Sequence, residues 1–346
     1  MDLEAASRGA GAPLRILVTR LRYLGDVILT TPALAALAKR YPAAEIYYLA
    51  EAPYVSVLEG NPHLAGIIPL RPGLHGSLEA ISAIRRLRFS AAIDLFYNPR
   101  SAALLFLSGI PIRVGGSRRI RRRLYTHVAD VPPGTRSAVA HHVAFLRSIG
   151  VEDGEALPRV YLAAAEVHEG RAAIDRALGV SAKRPVVACH PGGTWPAKRW
   201  PPENFGRLAA VLRSELGAAV VALAGPGEEE IARSAAAASE GALTPLPPMS
   251  VRRAASVLAA SDAVVANDGG IMHLAVALGR PTVAVFGPTE TDIWFPYEGA
   301  GPFAVMTHTP PCAPCHKHYC DSGECLKSIE PGEVLGRLGE VLAWKS

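Results

Sequence analysis

In NDGGIMHLAVALGRPTVAVFGPT, Asn267–Thr289, Gly269 and Gly270 stand between an apolar strand-like run and an apolar helix-like run. A helix that starts straight after glycine offers unpaired backbone N–H groups at its positive end. The missing Cβ lets a diphosphate come close to the chain. A plain turn accounts for a glycine here equally well. Asp268, just before the pair, suits either a helix N-cap or the acceptance of sugar hydroxyls. His273, one turn into the helix, is either a packed core residue or a neighbour of that phosphate.

Three more loops end strand-like runs with reactive residues. HPGGTWPAKRW places Thr194 and Lys198 after a glycine pair, and a hydroxyl with an ammonium suits phosphate oxygens. The same loop also reads as a surface turn with tryptophans packed beneath it. AGPGEEE offers Glu228 to ribose hydroxyls, as an acid does in dinucleotide sites, or simply as a helix start. RYLGD opens a helix with Asp26, which serves as a cap or, if it faces a cleft between domains, as a general base.

Ligands of open parallel sheets sit beyond the carboxyl ends of the strands, so the elements around these loops matter. LRILVTR, EIYYLAE and AAIDLFY read as buried strands, and VILTTPALAALAKRYP, residues 27–42, reads as one helix with Pro32 early in it. The second half repeats the style. RPVVACHPGG, AAVVALAGPG, DAVVAND and TVAVFGPT are strands, and PPENFGRLAAVLRSELG, IARSAAAASEG, SVRRAASVLAAS and IMHLAVALG are helices. EPGEVLGRLGEVLAW is a closing amphipathic helix. Alternating strands and helices predict two α/β halves with parallel sheets, joined near residues 155–185. Neither G-x-G-x-x-G after a strand nor G-x-x-x-x-G-K-[ST] occurs, so a dehydrogenase or P-loop phosphate site is not expected.

The 346 residues suit two domains, and 49% hydrophobic with 19% charged residues is a globular composition. No stretch has the apolar length of a membrane span, and MDLEAASRGAGAPLR lacks the apolar core of a signal peptide. The expectation is a cytoplasmic protein with a disordered tail over residues 1–13. The net charge of +5 is uneven: residues 1–165 carry 20 basic against 12 acidic residues, net +8, and residues 166–346 carry 16 against 19, net −3. A basic first half points to an anionic partner such as phosphate, nucleic acid or a membrane surface, unless it is only a solvated face.

Taken in order and spacing, RYLGDVILTTPAL, HPGGTWPAKRWPPENF and DGGIMHLAVALGRPTVAVFGPT resemble glycosyltransferase family 9, the ADP-heptose:lipopolysaccharide heptosyltransferases, from about Leu14 to the C-terminus. The resemblance implies a GT-B fold: two Rossmann-like, doubly wound parallel-sheet domains facing a central cleft. Residues 14–165 form the acceptor domain, 166–330 the nucleotide-sugar domain, and 331–346 a C-terminal helix. It implies inverting transfer of heptose from ADP-heptose to a phosphorylated inner-core acceptor, with Asp26 as base and no cofactor in the chemistry. By the family's motifs Thr194 and Lys198 hold phosphate and sugar, Glu228 reaches the ribose and Met249 lies by the adenine. Asp268, Gly269, Gly270 and His273 grip diphosphate and heptose. Gly269 stands where the family commonly has threonine, which removes a hydroxyl contact. The arginine runs at Arg85–Arg88 and Arg118–Arg123 are candidate contacts to acceptor phosphates, or to the inner-membrane surface in a peripheral association.

Four of the five cysteines, Cys312, Cys315, Cys320 and Cys325, share a C-x2-C-x4-C-x4-C spacing in the loop 312–325. That spacing can close a structural zinc site; an iron–sulfur cluster and plain reduced thiols are the alternatives. Cys189, within a strand, is expected in the core. Two other functions compete with the transferase: a nucleotide-sugar epimerase of the same architecture, and a nucleic-acid binder built on the arginine runs. The second lacks interleaved aromatic residues and leaves the strand-end loops unexplained, so no nucleic-acid partner is expected.

Overall fold

The computed structural model describes residue 3 and residues 13–116, 119–152, 154, 157–179 and 184–343. Residues 1, 2 and 4–12 of the expected tail, Arg118 of the second basic run and residues 344–346 of the expected C-terminal helix therefore lie outside the described residues. The chain divides into two compact units, Met1–Val160 and Tyr161–Ser346.

Unit 1 is built on β1 (Arg15–Thr19), β2 (Glu45–Glu51), β3 (Gly66–Leu70), β4 (Ala91–Asp94), β5 (Ile112–Gly115) and β6 (His127–Val128). They form one sheet in the order β3-β2-β1-β4-β5-β6, with every pair parallel. Register is fixed by apolar pairs such as Ile16 against Ile46 and Ala91. Its helices are α1 (Leu24–Ile28), α2 (Thr31–Arg40), α3 (Gly73–Leu87), α4 (Pro99–Leu107) and α5 (Ala138–Phe145). Leu17, Leu49, Ile68, Ile84, Ala92 and Leu105 form the centre of its core.

The single helix expected over residues 27–42 is two helices. Pro32 lacks an N–H and cannot continue a ladder from α1. The Thr30 and Thr31 hydroxyls instead donate to the carbonyls of Val27 and Ile28, at 2.7 and 2.8 Å, and close the break. Helix α1 also starts earlier than expected, at Leu24, so Asp26 lies inside its first turn.

Unit 2 contains α6 (Ala164–Leu178), β7 (Val186–His190), α7 (Pro202–Leu216), β8 (Ala219–Ala222), α8 (Glu229–Ala237), β9 (Leu243–Pro245), α9 (Val251–Ala259) and β10 (Ala263–Asn267). It continues with α10 (Gly270–Ala277), β11 (Thr282–Phe286), α11 (Thr291–Trp294), β12 (Phe303–Thr307), α12 (Glu324–Lys327) and α13 (Pro331–Leu342). The sheet runs β12-β11-β10-β7-β8-β9, again with parallel neighbours. Counted from its own first strand, this is the same winding as unit 1, and both match the Rossmann order 3-2-1-4-5-6. Part of the expected joining stretch is helix α6, which packs on α9; a Cβ at Gly170 would lie 2.0 Å from the Ser256 carbonyl oxygen. The closing helix α13 buries Val334, Leu338 and Val341 in the core of unit 2. Cys189 is in that core too, as expected. Among the described residues no helix is long and apolar enough to cross a membrane.

Candidate active site

In a doubly wound sheet the crevice opens where the strand order reverses, here between β7 and β10 in unit 2 and between β1 and β4 in unit 1. The loops leaving β7 and β10 hold most of the residues expected to bind a donor. Asn267, the last residue of β10, staples them together: its amide donates to the carbonyls of Pro191 and Gly192, at 2.9 and 3.0 Å, and accepts from the Trp200 N–H at 3.0 Å. The next residue, Asp268, is buried, and its carboxylate takes the Lys198 ammonium at 2.6 Å and the Thr289 hydroxyl at 2.5 Å. A carboxylate this deep is costly unless paired, so the ion pair and the Thr289 bond explain how it is held. Lys198 also lies over the Trp195 ring, 4.6 Å from its centroid.

Helix α10 begins at Gly270, with Gly269 as its N-cap in extended backbone. A Cβ at Gly269 would meet nothing closer than the Asn267 carbonyl oxygen at 3.8 Å, so packing does not demand glycine there. His273, buried one turn in, has Nδ1 3.0 Å from the hydroxyl of Tyr297, itself buried. Burial pushes the Tyr297 phenol far up, so it stays protonated.

Glu228 ties two loops from within. Its carboxylate accepts from the N–H of Gly193 and of Gly225, both at 2.8 Å, and lies 3.1 Å from His190 Nε2. Burial alone would raise this carboxyl; the His190 hydrogen bond and charge, with the two N–H groups, outweigh it and bring it to about 2. The glycines beside it are demanded by geometry. A Cβ on Gly192 would fall 2.4 Å from the Glu228 carboxyl, and Gly193 has φ +149°. Thr194 is exposed at the tip of the same loop. Met249 is half-buried after β9, tied by its N–H to the Ala224 carbonyl at 3.3 Å.

In unit 1, Asp26 accepts from the Tyr23 N–H at 2.9 Å, capping its own helix, and pairs with Arg20 at 2.5 Å. Arg20 is held in turn by the Leu95 carbonyl at 3.2 Å and by the face of Phe96, 4.6 Å from its centroid. At the end of β4, Asp94 is wholly buried and accepts from the Phe96 and Tyr97 N–H groups and the Tyr125 hydroxyl. Burial raises its carboxyl against those hydrogen bonds.

The zinc site that the cysteine spacing allows finds no support in the structure. Among the described residues no group of three or more His, Cys, Asp or Glu side chains is arranged to hold a metal ion. The four thiols sit at different depths: Cys312 exposed, Cys315 and Cys320 half-buried, and Cys325 buried in the core at α12. Cys320 Sγ is engaged locally by the Ser322 hydroxyl and the Gly323 N–H, each at 3.4 Å. Burial, followed by the charges of Cys320, Cys315 and Cys312, pushes the Cys325 thiol up. The loop props the donor loops instead. The His318 ring stacks on Trp195 at 3.8 Å, the His318 carbonyl accepts from the Ala197 N–H, and the Pro288 carbonyl accepts from the N–H of Cys315 and of His316.

Two Rossmann-wound units, with a glycine-flanked helix start and a buried Lys–Asp pair at one switch point, are those of a GT-B glycosyltransferase. The chain belongs to glycosyltransferase family 9 (heptosyltransferase), whose sequence model matches residues 78–325. It is 30% identical over 298 residues to lipopolysaccharide heptosyltransferase 2 of Escherichia coli K12, covering 81% of this chain and 84% of that one. Among solved structures it resembles a family 9 glycosyltransferase from Veillonella parvula (TM-score 0.81, 25% identity, 95% and 97% of the two chains). It also resembles the E. coli ADP-heptose lipopolysaccharide heptosyltransferase II (TM-score 0.80, 26% identity, 95% and 98%). The enzyme is therefore a glycosyltransferase. Asp26 lies ahead of the stretch that the family model matches.

Proposed function

We propose that the enzyme transfers heptose from ADP-heptose to a phosphorylated lipopolysaccharide inner-core acceptor with inversion at the anomeric carbon. The observation that carries this reading is the cluster of Lys198, Asp268 and Thr289 beside the first turn of α10. The similar proteins named above contribute the donor and acceptor classes. The acceptor hydroxyl oxygen attacks the anomeric carbon as the bond from that carbon to the diphosphate oxygen breaks. Asp26 takes the hydroxyl proton, and Arg20 holds its carboxylate in one orientation. Lys198 and the first N–H groups of α10 take up the charge that develops on the leaving ADP. His273 reaches diphosphate or sugar, Thr194 adds a hydroxyl, Glu228 accepts from the ribose with its remaining lone pairs, and Met249 covers the adenine. The four cysteines take no part in these steps. Because the acceptor is a lipid, the enzyme works as a cytoplasmic protein at the inner-membrane surface.

A thermal-shift comparison tests the donor. ADP should raise the melting temperature more than UDP or GDP does; a larger shift with UDP or GDP overturns the assignment. NMR of the product should show inverted anomeric configuration. A second reading, a different nucleotide sugar or an epimerase of this fold, draws on Gly269 in the place of the common threonine. Conversion of a nucleotide sugar without any acceptor would favour the epimerase.

A further inference from the structure

Helix α3 turns an unusual face outward. Gly76, Ala80 and Ile84 are buried, while Leu74 and Leu78 are 77% and 55% exposed. With Arg85 these leucines follow i, i+4, i+11 spacing, one stripe on the outer side, and Ile81 beside it is partly buried against the core. Leu78, Ile81, Ser82, Arg85, Arg86 and Arg88 line one open hollow. Arg85 donates to the Leu107 carbonyl at 2.7 Å, which brings the end of α4 beside it with Phe106 and Leu107 47% and 52% exposed. Arg113 lies over the Phe106 ring, 5.4 Å from its centroid. The 3-10 turn Arg119–Leu124 packs on α4 and adds the exposed Arg122 and Arg123. The exposed acid of α3, Glu79, is paired with Arg71 at 3.5 Å and with His75 at 3.1 Å.

Exposed leucine and phenylalanine ringed by arginine match the interface of an anionic bilayer, where aliphatic tips enter the acyl boundary and guanidinium groups meet phosphates. A second copy of the chain would oppose arginine to arginine. A soluble polyanion would use the arginines and leave the leucines idle. We infer that the face formed by α3, the end of α4 and the turn Arg119–Leu124 docks unit 1 onto an anionic lipid surface. The inference extends the reading of a lipid acceptor, but its test does not depend on it.

Co-sedimentation of the whole protein with vesicles decides it. The protein should bind vesicles containing phosphatidylglycerol, far less those of phosphatidylcholine alone, and release at high salt. At about fivefold per arginine, the Arg85→Ala/Arg86→Ala/Arg88→Ala variant should bind roughly 100-fold more weakly. Leu74→Ser/Leu78→Ser should lose roughly tenfold, because burial of two side chains goes with it. Leu78→Ser alone is the fallback if the double variant does not fold. Unchanged binding in both variants, or no preference for anionic vesicles, overturns the inference. So does loss on removing the arginines with none on removing the leucines, which marks headgroup attraction without insertion of the leucines. The ADP-dependent thermal shift, read on unit 2, should persist in every variant. If that shift fails while vesicle binding holds, the donor reading falls and the docking face stands.

Discussion

The two units share a strand order and differ in what they keep at the switch point. In unit 1 the strand-end acid Asp94 is closed in by two backbone N–H groups and a phenol, and the carboxylate proposed as base is Asp26, on the helix after β1. In unit 2 the strand-end acid Asp268 holds an ammonium instead, and the loop after β7 is shaped by Gly192 and Gly193 around Glu228. The same topology thus supplies one crevice with an acid fixed by arginine and the other with a cation fixed by an acid. Winding sets where chemistry can stand, and the side chains decide which charge stands there.

The strongest test of that division is Asp26→Asn, which keeps the cap on α1 but removes the proposed base. Turnover should fall by about 10²–10⁴-fold, while the ADP-induced thermal shift on unit 2 stays. Near-normal turnover, or joint loss of activity and ADP binding, would reduce Asp26 to a structural cap. Next comes Lys198→Ala. It should abolish most of the ADP shift and, by leaving Asp268 with Thr289 as its remaining side-chain partner, cost about 2 kcal/mol in urea unfolding of the free enzyme. An unchanged ADP shift would remove Lys198 from the donor site.

The two glycine pairs should then separate. Gly192→Ala drives a methyl into the Glu228 carboxyl and should destabilise by about 1–3 kcal/mol, whereas Gly269→Ala should stay within about 0.5 kcal/mol of the parent. Equal costs in urea unfolding would show that packing fails to explain the contrast. The acid limb of Glu228 gives a pH-dependent test. Its carboxyl lies at about 2 in the fold against the usual 4.5, so folding favours the ionised form. That contribution is complete above pH 4.5 and is lost as pH falls toward 2. Melting temperature should drop across this window more steeply in the parent than in Glu228→Gln; parallel curves would contradict it.

Much of this was legible in the residues. Strand-end glycines at 192–193 and 269–270 and the acids beside them mark loops because glycine and short polar residues punctuate a sequence locally. What escaped reading is held by distance along the chain. Asn267 reaches back 75 and 76 residues to Gly192 and Pro191, and Thr289 meets Asp268 from 21 residues away, so nothing in their neighbours announces either role. Arg20 is only six residues from Asp26 but was hidden because a lone arginine reads as surface. The break between α1 and α2 depends on threonine hydroxyls closing over a proline, which apolar periodicity does not register. The cysteine spacing leaves zinc, an iron–sulfur cluster and plain thiols open because spacing carries no depth, and depth separates Cys325 from Cys312.

The stack of His318 on Trp195, with the Lys198 ammonium over the same indole, gives this enzyme an optical gauge. Indole emission responds to cations and imidazoles in contact with the ring. Trp200, by contrast, is sealed in the core with its N–H on the Ile329 carbonyl. Light from Trp195 therefore reports two events at once: the posture of the cysteine-bearing loop and the whereabouts of the lysine charge. On the proposed donor reading, nucleotide binding beside Lys198 should change this emission without any attached dye.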